Sequence, residues 1–273
     1  MVNQRGLWIE ADNVTIAGQG AGMTVLKLMD GTTEGVMMLQ TSNSVGAISH
    51  LRIADLTFDG NGGEVGASNN CVKLWNAEDF TVERCEFTNA RGNGLTIWDG
   101  CKRGVVSACY SHGHRQFNPP GDLSIGFNVS PFGQAVEPRP PTDITLVGCI
   151  AENNSGHGFG VYKAVHVRLI GCQASGHVTD QPPFTSNGFN IDSASYVSAS
   201  GCTSFDNQRG FAVYGADHTQ FTGCAAYENE IAGYLGLGAK KLAMSACHAT
   251  ANLSVGVIIK SGLVAAEVFT LQG

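Results

Sequence analysis

The chain has 273 residues, a formal charge of −7 and only 14% charged residues, against roughly 25% in ordinary globular chains. Its 43% hydrophobic content excludes a disordered chain, and the acidic balance excludes a general attraction to nucleic acid or an anionic membrane. No apolar run reaches the roughly 18 residues of a membrane-spanning helix, and the 36 glycines lack collagen's every-third spacing.

In chain order, Met1-Val2-Asn3-Gln4-Arg5-Gly6 is followed by no apolar h-region, so no secretory signal is read. A cytoplasmic protein and a domain of a longer secreted or virion protein both stay open. Ala11 to Leu28 and Leu51 to Asp59 read as short strands with turn residues between them. From Phe80 onward one segment recurs: Phe80-Thr81-Val82-Glu83-Arg84-Cys85, Ile144-Thr145-Leu146-Val147-Gly148-Cys149, Val167-Arg168-Leu169-Ile170-Gly171-Cys172, and again up to Cys202, Cys224 and Cys247. Cys109 adds a copy. The Cys steps are 24, 40, 23, 30, 22 and 23, a unit of about 23 residues with a large insertion after Cys109 and a smaller one after Cys172.

A second segment repeats in phase: Gly94-Leu95-Thr96-Ile97-Trp98, Gly126-Phe127-Asn128-Val129-Ser130, Gly158-Phe159-Gly160-Val161-Tyr162, Gly188-Phe189-Asn190-Ile191-Asp192 and Gly210-Phe211-Ala212-Val213-Tyr214. Each alternates with the period of a half-buried strand. Asn89, Asn154, Asn207, Asn229 and Asn252 lie between the segments, where a corner needs the left-handed conformation that Asn tolerates. Short strands with Asn and Gly corners predict an all-β fold, a right-handed parallel β-helix built as a single-stranded solenoid. Residues 1–273 are expected to form one domain, with loop insertions at about 111–124, 131–142 and 177–186. Neighbouring coils then stack about 4.8 Å apart and align like side chains in Cys, Asn and Phe ladders. The nine cysteines include no C-x-x-C pair, so neither a zinc site nor a complete disulfide framework is expected, and no metal or cofactor.

The stretch Asn13-Val14-Thr15-Ile16-Ala17-Gly18-Gln19-Gly20-Ala21-Gly22-Met23-Thr24-Val25-Leu26-Lys27-Leu28, followed by Leu56-Thr57-Phe58-Asp59-Gly60-Asn61, resembles the pectate-lyase-like superfamily. Within it the pattern is most similar to the catalytic modules of bacterial mannuronan C5-epimerases. That resemblance implies the β-helix, a polysaccharide substrate and an active-site lysine at Lys73. It does not extend to the acid/base motif. Where those epimerases carry Tyr-Gly-Phe-Asp-Pro-His, this chain reads Asn93-Gly94-Leu95-Thr96-Ile97-Trp98.

Alternation assigns the outer face. Two outward columns are predicted: Lys73, Thr96, Asn128, Gly160, Asn190, Ala212, Leu235 and Ile258, then Trp75, Trp98, Ser130, Tyr162, Asp192, Tyr214, Leu237 and Lys260. Aromatic rings beside hydrogen-bonding groups suit sugars, so Trp75, Trp98, Asn128, His177, Asn190, Tyr214 and Lys260 are expected to bind substrate. The insertions bring His112, His114 and Arg115, and His177, toward that groove. Removing a proton beside a carboxylate needs a cation and a base. The expected catalytic set is Lys73 or Arg115 as the cation, Tyr162, His112 or His114 as base or acid, and Asp192 to orient the histidine or bind the sugar.

The leading functional expectation is a polyuronide lyase or C5-epimerase. A non-catalytic, tail-spike-like glycan-binding module and a small-molecule cyclase or isomerase on the same scaffold are the alternatives. The expected partners are a poly- or oligosaccharide or a small molecule, with a homo-oligomer left open.

Overall fold

The computed structural model describes residues 6–32, 35–42, 46–63, 69–115, 124–131, 139–177 and 185–260, and the backbone of 268–272. Every described element is a β-strand, and every strand pair is parallel. The strands fall into three sheets, A, B and C, which the chain visits in turn as a parallel β-helix. One coil runs Leu95–Ile97 in sheet A, Lys102–Ser107 in sheet B and Tyr110–His112 in sheet C, then returns to sheet A at Phe127–Val129. Parallel strands joined by such crossovers wind right-handed. No helix among the described residues is long and apolar enough to cross a membrane.

The interior is a set of ladders. Phe127, Phe159, Phe189, Phe211 and Tyr234 face inward from sheet A, with ring centroids 5.1, 4.7, 4.6 and 5.0 Å apart along the stack. The second ladder is sulfur. Cys109, Cys149, Cys172, Cys202 and Cys224 each donate to a carbonyl one coil earlier, on Val82, Val106, Leu146, Leu169 and Ala199, at 3.4–3.6 Å. The chain turns just before these thiols with positive φ, +50° at Ala108 and +57 to +60° at Gly148, Gly171, Gly201 and Gly223, which is why glycine recurs there.

All nine cysteines are free. The Cys149, Cys172 and Cys202 thiols are pushed up to about 12, first by the hydrogen bond to the thiol of the preceding coil, with burial adding to it. A thiol reagent such as Ellman's is therefore expected to titrate no more than Cys247, the single half-exposed thiol, in the native protein, and all nine after denaturation. Rapid native reaction of several thiols would contradict the ladder.

The third ladder corrects the corner assignment. Only Asn89 of the five expected Asn corners has positive φ. In the later coils the left-handed residue is one earlier, at Asn153, Asp206, Glu228 and Ala251. Asn154, Asn207, Asn229 and Asn252 point inward instead. The Asn229 N–H donates to Asn252 Oδ1 at 3.1 Å, and the Asn207 N–H to Asn229 Oδ1 at 3.2 Å. An inward amide satisfies backbone groups that would otherwise be buried without partners.

A candidate saccharide groove on sheet A

The outer face of sheet A carries both predicted columns in register. Lys73 pairs with Thr96, Thr96 with Asn128, Asn128 with Gly160, Gly160 with Asn190 and Asn190 with Ala212. Tyr162 pairs with Asp192, and Asp192 with Tyr214. At about 4.8 Å per coil, the five steps from Lys73 to Ala212 make a strip roughly 24 Å long.

One end is aromatic and cationic. Lys73 is only 9% exposed, and its Nζ lies 3.3 Å from the Trp98 ring centroid and 4.7 Å from that of Trp75. The two indoles are 4.6 Å apart. Burial lowers Lys73 to about 8 against the opposing charge of Asp99. The 131–142 insertion re-enters here: the Arg139 carbonyl accepts the Gly100 N–H at 2.9 Å. A Cβ on Gly100 would lie 3.3 Å from the Arg139 guanidinium carbon, so that cation packs over the glycine beside Asp99.

The middle is amide-rich. Asn128 Nδ2 donates to Ser130 Oγ at 3.2 Å, and Asn187 Nδ2 to Asn190 Oδ1 at 2.8 Å. A Cβ on Gly160 would meet the Tyr162 ring at 2.7 Å and Ile125 at 3.2 Å, so those two side chains fill the gap in the column. Burial, reinforced by the Asp192 charge, holds the Tyr162 phenol protonated well above its ordinary value. Asp192 accepts a hydrogen bond from Ser193 Oγ at 2.7 Å. Lys260 stands on the last described coil of the sheet, next to Leu237.

The expected histidines are not in this groove. His112 lies on sheet C, stacked on Tyr110 at 4.2 Å, with Nε2 3.0 Å from Glu86 Oε1, while Tyr110 donates to Glu152. Nearby, a cleft of about 510 Å³ lined by Gly20, Asp55, Arg84, Glu86 and Tyr110 also sits away from the strip. His114 and His177 are fully buried members of the inward ladder. His114 Nδ1 accepts the Ala90 N–H and His177 Nδ1 the Asn154 N–H, each at 3.1 Å, taking the part that Asn Oδ1 plays elsewhere. Burial lowers His114 to about 3 and His177 to about 4. Both rings therefore lie in the interior rather than on the outer face where the expected columns stand. Arg115 is exposed at the corner after His114, where its N–H donates to the Ala90 carbonyl at 2.9 Å. Asp122 and Asp180, the loop carboxylates nearest the groove in sequence, lie outside the described residues.

Alternation also missed a third outward column. A Cβ on Gly94 would strike Ser111 Oγ and His114 Nε2, both interior atoms, so the glycine and the residue after it face inward together. The residue before each glycine then swings out. Asn93 reaches Thr96 (3.1 Å) just as Asn187 reaches Asn190, and Asn187 pairs in register with Arg209. This column holds Asn93, Ile125, His157, Asn187 and Arg209.

The model of the right handed beta helix region family matches residues 126–265, and the chain belongs to that family. No curated protein matches the sequence. Among solved structures, the A-module of the Azotobacter vinelandii mannuronan C-5 epimerase AlgE4 is similar, with 15% identity and a TM-score of 0.65 over 98% of this chain and 90% of that one. So is the gp42 tailspike of an Acinetobacter phage, with 11% identity, a TM-score of 0.63, and coverage of 89% of this chain and 44% of that one. ORF18 of Geobacillus virus E2 is 13% identical, with a TM-score of 0.59 over 92% and 53% of the two chains. Identities this low establish a shared winding and leave the chemistry to the residues.

Proposed function

We propose that the sheet-A strip binds an acidic polysaccharide and that the protein is a lyase or C5-epimerase, with Lys73 as the proton-transfer group. The observation that carries this reading is the Lys73 amine, buried against two indoles and lowered to about 8 at the end of an amide-lined strip. The neutral amine takes the proton on the sugar carbon beside the carboxylate. Arg139, packed over Gly100 at this end of the strip, is the cation assigned to neutralise that carboxylate. In a lyase the C4–O bond then breaks as the C4–C5 double bond forms, and the new ammonium returns the proton to the leaving oxygen. In an epimerase a water molecule on the other face gives a proton to C5, and the Lys73 ammonium loses its own to the resulting hydroxide through solvent. Trp75 and Trp98 stack the ring and exclude water, while Asn128, Asn190 and Tyr214 take hydroxyl groups.

The test is a panel of polymannuronate, polyguluronate and polygalacturonate, read for unsaturated uronate by absorbance and for C5 deuterium uptake by NMR. Turnover of one polymer is expected, with Lys73→Ala at least about a hundredfold slower while glycan binding persists. The wild-type rate is expected to rise with pH and level off above about 8. Neither product nor exchange in the presence of retained binding would replace this reading with glycan binding alone. Two features favour that second reading: among the described residues the strip places no imidazole beside Lys73, and it has a single carboxylate, Asp192, in its central columns.

A further inference from the structure

The column before the glycines carries a cation that the proposed chemistry does not use. Arg209 Nη1 donates to Thr185 Oγ1 at 2.7 Å and to Tyr214 Oη at 2.9 Å. Those two bonds pin the guanidinium on the groove face. Its Nε and Nη2 make no hydrogen bond among the described residues, and no described carboxylate pairs with it. Three other arginines are spent on carboxylates: Arg52 on Glu83, Arg84 on Asp55 and Arg103 on Asp79. A fixed guanidinium fork with one edge unused is a receptor for a planar anion.

A second donor lies two strands away in the same column. His157 is 5% exposed, and its Nδ1 accepts the Asn187 N–H at 3.0 Å. The ring proton is therefore on Nε2. Burial lowers His157 to about 3, with the charges of His177 and Arg209 adding to it, so the ring is neutral and Arg209 is close enough to be felt. Between them Asn187, 1% exposed, keeps its Oδ1 without a hydrogen-bond partner among the described residues, as does Asn128. Buried amide oxygens left unmade are costly and mark groups that a bound hydroxyl would satisfy.

We infer that Arg209 and His157 form an anion subsite that receives one charged substituent of a sugar chain, a carboxylate or a sulfate ester, with Asn187 taking an adjacent hydroxyl. Resting on the groove reading above, this makes the ligand an acidic chain that spans the strip. One charged ring sits at Arg209, and another lies roughly 24 Å away at Lys73, five coils along.

The subsite is testable apart from turnover. Glucuronate, glucose 6-sulfate and uncharged glucose are titrated into the full chain, with the Arg209 Nε–H and His157 Nε2–H resonances followed by NMR. The expected result is saturable shifts with one or both anions and none with glucose, and the stronger anion identifies the substituent. Arg209→Gln is expected to weaken that binding about ten- to hundredfold, and Arg209→Lys less. Circular dichroism of both variants separates loss of binding from loss of fold, and a folded Arg209→Lys still reports if Arg209→Gln does not fold. Absence of anion-induced shifts in the wild type, or equal shifts with glucose, overturns the subsite. A polyuronide panel without turnover, alongside intact glucuronate binding at Arg209, would overturn only the proposed activity.

Discussion

Lowering the pH from 7 to 4.5 is expected to unfold this protein well before its carboxylates titrate. His114, His157 and His177 are buried, and each Nδ1 accepts a backbone N–H, from Ala90, Asn187 and Asn154. Only the neutral ring can do this. Burial lowers the three to about 3, 3 and 4, below the 6.5 of a free imidazole. A lowered histidine contributes stability that is complete above 6.5 and is lost as the pH falls toward the folded value, because the unfolded chain takes up the proton first. Three such groups approach a slope of about 4 kcal/mol per pH unit between roughly pH 6 and 4. Two units of that slope rival the whole stability of an ordinary domain, about 5–15 kcal/mol. Urea titrations at pH 7, 6 and 5 measure it. The double variant His114→Asn with His177→Asn, which puts the ladder's own residue at both positions, should fold normally and lose about two thirds of the slope. Parallel curves for wild type and variant would remove the histidines from the account.

The same three residues show how far the sequence could be read. A 23-residue period, alternating strands and the Gly-Phe phase place Lys73, Thr96, Asn128, Gly160 and Asn190 in one column, and the register agrees strand for strand. Register is legible because a one-residue slip would expose Phe159 and Phe189. Alternation fails where the backbone bends. At the entry to sheet A two successive residues face inward, so Arg209, one place before its glycine, reaches the groove although strict alternation skips it. His114 and His177 look like loop residues because each precedes an insertion. They belong to the Asn column, one residue after a left-handed Gly113 or Gly176. The readable signal was the coincidence of Gly-His with Asn-Asn, Asp-Asn and Glu-Asn at one phase. His112 ends the Tyr110–His112 strand of sheet C, one third of a turn from the groove.

Phe189→Ala should cost about 4 kcal/mol, near the middle of the range for removing a buried phenylalanine. Phe189 is fully buried and its ring centroid lies 4.7 Å from that of Phe159 and 4.6 Å from that of Phe211, stacked nearly parallel to both. The substitution therefore removes two ring contacts and leaves a cavity that the rigid coils above and below cannot close. A globular core would spread the loss, but a solenoid cannot, because each coil rests only on its neighbours. Hydrogen exchange should therefore lose protection mainly across Phe159–Tyr162, Asn187–Asp192 and Arg209–Tyr214, while the coils of Arg52–Ala54 and Thr81–Glu83 hold. Urea unfolding should broaden as the two halves of the stack uncouple. Phe189→Leu, which refills most of the volume, should recover much of the loss. A uniform fall in protection from end to end would mean that the ladder is not the unit that carries stability along the axis, and that the flat edges of the sheets transmit it instead.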